Sequence, residues 1–253
     1  MTPSPNVELA KLVNICHSNL KNSKECLRYL RDRGISKSLI KSNRIGFFPQ
    51  NMTVLKRHIS EEELLRANIS NFSGGSDFLN YFYLTFPIYS EYGDVVGISG
   101  RTLLSEVDRR IVGIPKYKNS SYKKADILYG LDKSKRTILK KNNVFVLEGY
   151  FDYLSMVNNG INNSVAICGT AFSKKHFLKL ARYTSKITFI LDSDDAGVKS
   201  AERIYSNFIN KGIKLRFLKL PGSFKDIDEY FSEENSSADS FYRDFKQIIP
   251  EAW

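Results

Sequence analysis

The sequence has little cysteine: Cys16, Cys26 and Cys168 in 253 residues. An odd, scattered set makes no disulfide framework and fits a reducing, cytoplasmic compartment. Cys16, His17 and Cys26 lack the spacing of a zinc finger or ribbon, so they read as core and surface residues and no zinc site is expected. No apolar run approaches the roughly 18 residues of a membrane span, which excludes a helical membrane anchor as the basis of function. The start, MTPSPNVELAKLVN, lacks the basic opening and apolar stretch of a signal peptide. Acid is scarce in one half only. Residues 1–140 hold 23 Lys+Arg against 13 Asp+Glu, and residues 141–253 hold 15 against 14, so the net +11 sits almost wholly in the first half. A basic excess on one half points to a polyanion such as nucleic acid.

The second half has a repeating pattern. VFVL (144–147) is a short apolar run, followed by a segment with Tyr150, Leu154 and Val157 at helical spacing and Gly160 as a stop. SVAIC (164–168) is the next predicted strand, and Ser173 caps a helix carrying Phe177, Leu180 and Ala181. KITFIL (186–191) is the third strand, followed by a helix with Ala201, Ile204, Tyr205 and Phe208. IKLRFLKL (213–220) is the fourth. This alternation predicts an α/β fold with a mostly parallel sheet and helices on both faces.

In such a sheet, right-handed crossovers bring all the strands' carboxyl ends to one edge, where ligands bind. Acids follow those ends. Glu148 follows the first strand, with Asp152 one helical turn on. Asp192 and Asp194, in LDSDDAG (191–197), follow the third. Asp226 and Asp228 follow the fourth. Carboxylates this close repel one another, and a divalent cation is the usual counterweight. The alternative for LDSDDAG alone is a solvated turn with helix-capping aspartates. Oxygen-only ligands favour a hard cation, Mg²⁺ or Mn²⁺, and the chemistry that follows is phosphoryl transfer.

EGYFD (148–152), LDSDDAG and the D-x-D of KDIDEYF (225–231) together resemble a Toprim domain. More narrowly, they resemble the RNA polymerase core of bacterial and phage DnaG-type primases. That resemblance implies a metal site for nucleotide addition at Glu148, Asp192 and Asp194, then Asp226 and Asp228, with Asp152 supporting. Asp195 stands where the family often has a basic or small residue and takes no ligand role. Gly149 and Gly197 allow tight strand-to-helix turns beside the site. Thr170, in CGTAF (168–172), matches a loop position of the family.

The first half carries the rest of the resemblance. Residues 7–20 and 23–33 read as amphipathic helices, and SEEE (60–63) as a capping box. YLRDRGIS (29–36) and IGFFP (45–49) are similar to the segment that opens the primase core. FYLTFPIYS and VVGISGR, around the turn EYGD, predict two strands ending on Arg101. PKYKNS (115–120) and KKADILYGL (123–131) then resemble a primase motif. Through it Arg101, Lys116, Asn119 and Lys124 are expected to face the acids across a groove and take nucleotide phosphates and template. Arg101 would grip phosphate with a fork of donors. Tyr117 and Tyr122 could stack on bases, although packing is the commoner use of such rings.

The resemblance spans residues 25–232 and predicts a mixed α+β subdomain over 1–140, a Rossmann-like Toprim subdomain over 141–232 and a helical tail over 233–253. It implies a primase making short RNA primers on single-stranded DNA from ribonucleoside triphosphates, in a bacterial cell or phage-infected host. The family's zinc-binding and helicase-binding domains have no counterpart motif here, so the expectation is a bare catalytic core. A replicative helicase or a separate template-recognition protein could then act as partner. A Toprim nuclease and a catalytically silent DNA- or helicase-binding subunit are the competing readings.

Overall fold

The computed structural model describes residues 6–66, 69, 80–169, 171–233 and 236–248. The chain divides into two compact units, Met1–Ser90 with Asp94–Tyr122, and Glu91–Gly93 with Lys123–Trp253.

In the first unit, α1 (Val7–Asn19) starts at Asn6, whose side chain accepts the Leu9 amide. Ser23 caps α2 (Lys24–Asp32) in the same way, and Ser36 caps α3 (Lys37–Ser42). After β1 (Gly46–Phe47) and α4 (Met52–Lys56) comes α5 (Glu61–Arg66). Its capping box is realised: Ser60 Oγ accepts the Glu63 amide and the Ser60 amide donates to Glu63 Oε2. The predicted strand pair is β2 (Leu84–Tyr89) and β3 (Val95–Arg101). An exposed helix, α6 (Glu106–Val112), precedes β4 (Tyr117–Asn119). The four strands form an antiparallel sheet in the order β1-β2-β3-β4. Leu9, Leu12, Val13 and Cys16 of α1 share its core with Phe48, Phe82 and Ile98. Cys16 and Cys26 are core side chains, and burial pushes their thiols up to about 12 and about 11.

The second unit opens with α7 (Leu131–Lys141) and continues as β5 (Val144–Leu147), α8 (Tyr150–Asn158), β6 (Ser164–Ala166), α9 (Lys174–Leu180), β7 (Lys186–Phe189), α10 (Asp195–Phe208), β8 (Lys214–Lys219), α11 (Ile227–Ser232), α12 (Ala238–Asp244) and β9 (Lys246–Ile248). The sheet order is β6-β5-β7-β8-β9, and the first four strands are parallel. Strand alternation sorts the packing. Val144 and Val146 join a core with Ile138, Phe177, Leu180, Ala201, Ile204 and Phe208, whereas Phe145 meets the Phe241 ring of α12 edge-on at 5.3 Å. Helices thus cover both faces, as an α/β sheet of this kind requires.

Two boundaries differ from the sequence reading. The second unit begins at Lys123 rather than after residue 140, because Leu131 and Ile138 of α7 lie in its core. The tail is not wholly helical: β9 follows α12 and pairs antiparallel with β8. Three residues are too few for alternation to be visible in sequence. Among the described residues no helix is long and apolar enough to cross a membrane.

Candidate active site

The acids leave the sheet where the strands end. Glu148 follows β5 directly, and its Oε1 accepts the Asp192 amide at 3.1 Å. The loop after β7 is tied to the loop after β8: the Ser193 amide donates to the Lys225 carbonyl at 3.1 Å, and Ser193 Oγ to the Phe224 carbonyl at 2.9 Å. These bonds bring Asp192 and Asp194 towards Asp226.

Two glycines make the turns close. The Gly197 nitrogen donates to Asp194 Oδ1 at 2.9 Å, and a Cβ on Gly197 would fall 2.0 Å from the Asp192 carbonyl oxygen. The Gly149 amide donates to Asp152 Oδ2 at 2.8 Å, and a Cβ there would meet that same oxygen at 2.9 Å. Both glycines are needed for close approach rather than for a left-handed backbone.

The aspartates also cap helices. Asp194 is the N-cap of α10, and Asp226 is the N-cap of α11, its Oδ1 accepting the Glu229 amide at 2.8 Å. Capping and ligand readings of LDSDDAG are therefore not exclusive, since each cap engages one carboxylate oxygen. Asp195 is exposed in the first turn of α10.

Asp152 and Asp228 are buried and linked to one another. Asp152 Oδ1 accepts the Asp228 amide at 3.4 Å, and Asp228 Oδ1 accepts Ser155 Oγ at 2.6 Å. The sequence reading pairs Asp228 with Asp226 as a ligand; here its side chain links α11 to α8 through Ser155, and it is only 6% exposed.

The electrostatics follow from this crowding. Burial, then the charges of Glu148, Asp226 and Asp194, push Asp192 up to about 7, with Lys225 opposing. Burial, then Asp226 and Asp192, push Asp152 up to about 8 against the Gly149 hydrogen bond. Burial, together with Asp194, also raises Glu148 against the Asp192 amide. Burial first, and neighbouring carboxylates after it, thus raise Glu148, Asp152 and Asp192 together. All the donors are oxygens, which suits a hard divalent ion. Among the described residues no three acidic, histidine or cysteine side chains are already grouped around one ion position.

The basic residues divide. Lys116 and Lys124 are exposed, and Asn119 is half-buried, its Oδ1 accepting the Tyr122 hydroxyl at 3.1 Å. Arg101 is buried, 6% exposed. Its guanidinium lies 5.1 Å from the ring centroids of both Tyr29 and Tyr117, and Nη1 donates to the Tyr117 hydroxyl at 2.6 Å. The guanidinium is thus stacked on two rings, and Tyr29 is a partner that sequence reasoning missed. The β3–β4 register pairs Arg101 with Tyr117, but α2 brings Tyr29 from 72 positions away, so no local pattern reports it. Tyr122 packs over Gly97, where a Cβ would lie 2.5 Å from the ring. Both tyrosines of the motif are thus packed rings. Thr170 lies outside the described residues.

The comparisons agree with this layout. The family profile for the DNA primase catalytic core, N-terminal domain, matches residues 15–135, and a Toprim-like profile matches residues 145–231. The DNA primase of Synechococcus elongatus is 35% identical over 244 residues, covering 88% of this chain and 34% of that protein. A Staphylococcus aureus DNA primase is 32% identical over 228 residues, covering 85% and 36%. The chain thus spans about a third of the length of these curated relatives. Among solved structures, the zinc-binding and RNA polymerase domains of Aquifex aeolicus primase superpose with a TM-score of 0.82 at 26% identity, over 96% of this chain and 61% of that one. A DnaG primase catalytic domain bound to ssDNA gives 0.76 at 27% identity, over 98% and 82%. An antiparallel unit followed by a Toprim unit, with acids at the strand exits and relatives of one kind along its length, has one reading: the chain belongs to the DnaG-type primases and matches their RNA polymerase core.

Proposed function

We propose that the protein is a DNA primase, a DNA-directed RNA polymerase that makes short RNA primers on single-stranded DNA for replication. The carrying observation is the set of carboxylates at three strand exits, bonded loop to loop, with Asp192 pushed up to about 7 by burial and then by its acidic neighbours. Such a cluster costs stability when empty, and a phosphate-bearing substrate with its cation would relieve it.

Glu148, Asp192, Asp194 and Asp226 would hold Mg²⁺ or Mn²⁺. The ion, when bound, supplies charge neutralisation at the α-phosphate and acidifies the attacking hydroxyl. The chain's own residues do the remaining work. The Glu148–Asp192 bond fixes the two loops in one arrangement, so the carboxylates need not reorganise on binding. Asp152 and Asp228 brace α8 and α11 beneath them. Lys116 and Lys124 offer exposed ammonium groups to nucleotide phosphates and template, with Asn119 as a polar contact and Arg101 stiffening β4 from within. The 3′-hydroxyl of one ribonucleotide attacks the α-phosphorus of the next, the bond to the bridging oxygen breaks, and pyrophosphate leaves. No protein nucleophile is required. Replication in the cytoplasm of a bacterial cell or phage-infected host is the setting, and a helicase or template-recognition protein is a natural partner.

Primer synthesis tests this. The protein, single-stranded DNA of varied sequence, labelled ribonucleotides and Mg²⁺ or Mn²⁺ should yield short oligoribonucleotides, and Asp192→Asn should not. Asp192-dependent cutting of the DNA without primers would instead establish a nuclease.

A further inference from the structure

His176 lies outside the acid cluster, yet its side chain is fully buried and both ring nitrogens are engaged. The Ser173 amide can only donate, so Nδ1, 3.3 Å from it, carries no proton. Nε2 therefore bears the hydrogen and donates to the Lys124 carbonyl at 3.3 Å. Burial holds His176 below the ordinary histidine range, in keeping with this neutral form.

The next two carbonyls are held by the same helix. Ser173 Oγ donates to the Ala125 carbonyl at 2.8 Å, and Lys179 Nζ to the Asp126 carbonyl at 2.6 Å. Lys175 adds an ion pair to the Asp126 carboxylate at 2.7 Å. Further along, Tyr129 and Ala166 exchange amide–carbonyl bonds of 2.9 and 3.0 Å at the edge of β6. The main chain from Lys124 to Tyr129 is thus pinned to α9 and β6, while the Lys124 side chain stays exposed. α9 starts beyond the carboxyl end of β6, on the edge of the sheet that carries Glu148 and Asp192. Burial above all raises the Cys168 thiol there, with the Tyr150 hydroxyl opposing, Asp152 adding and Lys124 opposing.

We infer that His176 is a positioning residue for substrate: through its Nε2–H bond it fixes the Lys124 turn, with Ser173 and Lys179, so that the Lys124 ammonium stands ready for a nucleoside triphosphate at the acidic edge. This rests on the primase reading for the role of Lys124. A lysine is a mobile point charge, and fixing its main chain lowers the ordering cost of each phosphate contact.

The two amide substitutions separate the ring nitrogens. Asn can replace the Nδ1 acceptor but not reach Lys124, whereas Gln can present a donor near the Nε2 position. Calorimetric titration of GTP with Mg²⁺ should show His176→Asn weakening binding about tenfold, the scale of one lost buried hydrogen bond, with KM in primer synthesis rising in step and kcat within about twofold. His176→Gln should recover most of the loss. In a Lys124→Ala background, His176→Asn should add nothing, because the two act through one contact. Lys179→Met, at the partly exposed rim, should give a smaller loss of the same kind and serves if His176→Asn does not fold. Wild-type affinity in His176→Asn or, where that variant does not fold, in Lys179→Met overturns the inference, as do losses that multiply with Lys124→Ala. A protein that binds GTP with this variant pattern but makes no primers would defeat the primase reading alone. Primers made by His176→Asn at unchanged KM would defeat the positioning claim alone, and a wild type that binds no nucleotide would defeat both.

Discussion

The Glu148 carboxylate accepts the main-chain amide of Asp192 at 3.1 Å, so the exits of two neighbouring parallel strands are joined by the same side chain that is the best candidate for a metal ligand. Charge and scaffold at this position can be separated. Glu148→Gln keeps an oxygen for the Asp192 amide and removes the charge. It should abolish detectable primer synthesis while the melting temperature holds or rises. Glu148→Ala leaves that amide without its partner and should also cost about 1–3 kcal/mol, seen as a lower midpoint in denaturant.

Asp152 should destabilise the metal-free protein as pH rises. Its folded-state pKa, about 8, lies above the ordinary carboxylate value. Its contribution is therefore fully present below about pH 4 and is lost as pH climbs through 8. Asp152→Asn, which retains an acceptor for the Gly149 amide, should raise stability by about 1–3 kcal/mol at pH 8 and by little at pH 4. Thermal melts across that range check it, and added Mg²⁺ should narrow the gap by stabilising the wild type.

Glu91 should behave in the opposite sense. Burial alone would raise it, but hydrogen bonds from Arg182 and from Tyr183 at 2.8 Å, with the nearby Lys179, hold it below the usual range. Its contribution is present above the ordinary carboxylate pKa and is lost as pH falls through the lowered value. Glu91→Gln should cost about 1–3 kcal/mol at pH 7, with the difference from wild type shrinking in acid. Urea midpoints at pH 7 and pH 3 would show it.

Gly197→Ala should be far more damaging than a single methyl group suggests. The added carbon would sit 2.0 Å from the Asp192 carbonyl oxygen, a backbone atom with no freedom to move aside. A loss of about 2–4 kcal/mol is expected, together with loss of primer synthesis, because any relief must displace Asp192. Circular dichroism melts with the primer assay test both parts.

What the sequence disclosed depended on range. Val144–Leu147 and the acids after β5, β7 and β8 were legible because strand runs and their exits are local patterns. The pairing of Asp152 with the Asp228 amide was not, since it joins residues 76 positions apart through a hydrogen bond that no periodicity encodes. The stack of Arg101 between Tyr29 and Tyr117 was hidden for the same reason. A motif supplied the arginine, but only folding shows that its guanidinium is enclosed. α6 escaped notice because none of its residues is buried, leaving no apolar stripe to read.

The five-stranded sheet ends on β6 at one side and β9 at the other, each three residues long, and the outer side of β6 is bridged by Tyr129. An unpaired strand is a template for another chain, and its danger grows with its length. By lying across the six-residue β8, β9 replaces a long template with a short one. A chain stopped before Lys246 would present β8 instead, and its first failure should be self-association in concentrated solution rather than loss of chemistry.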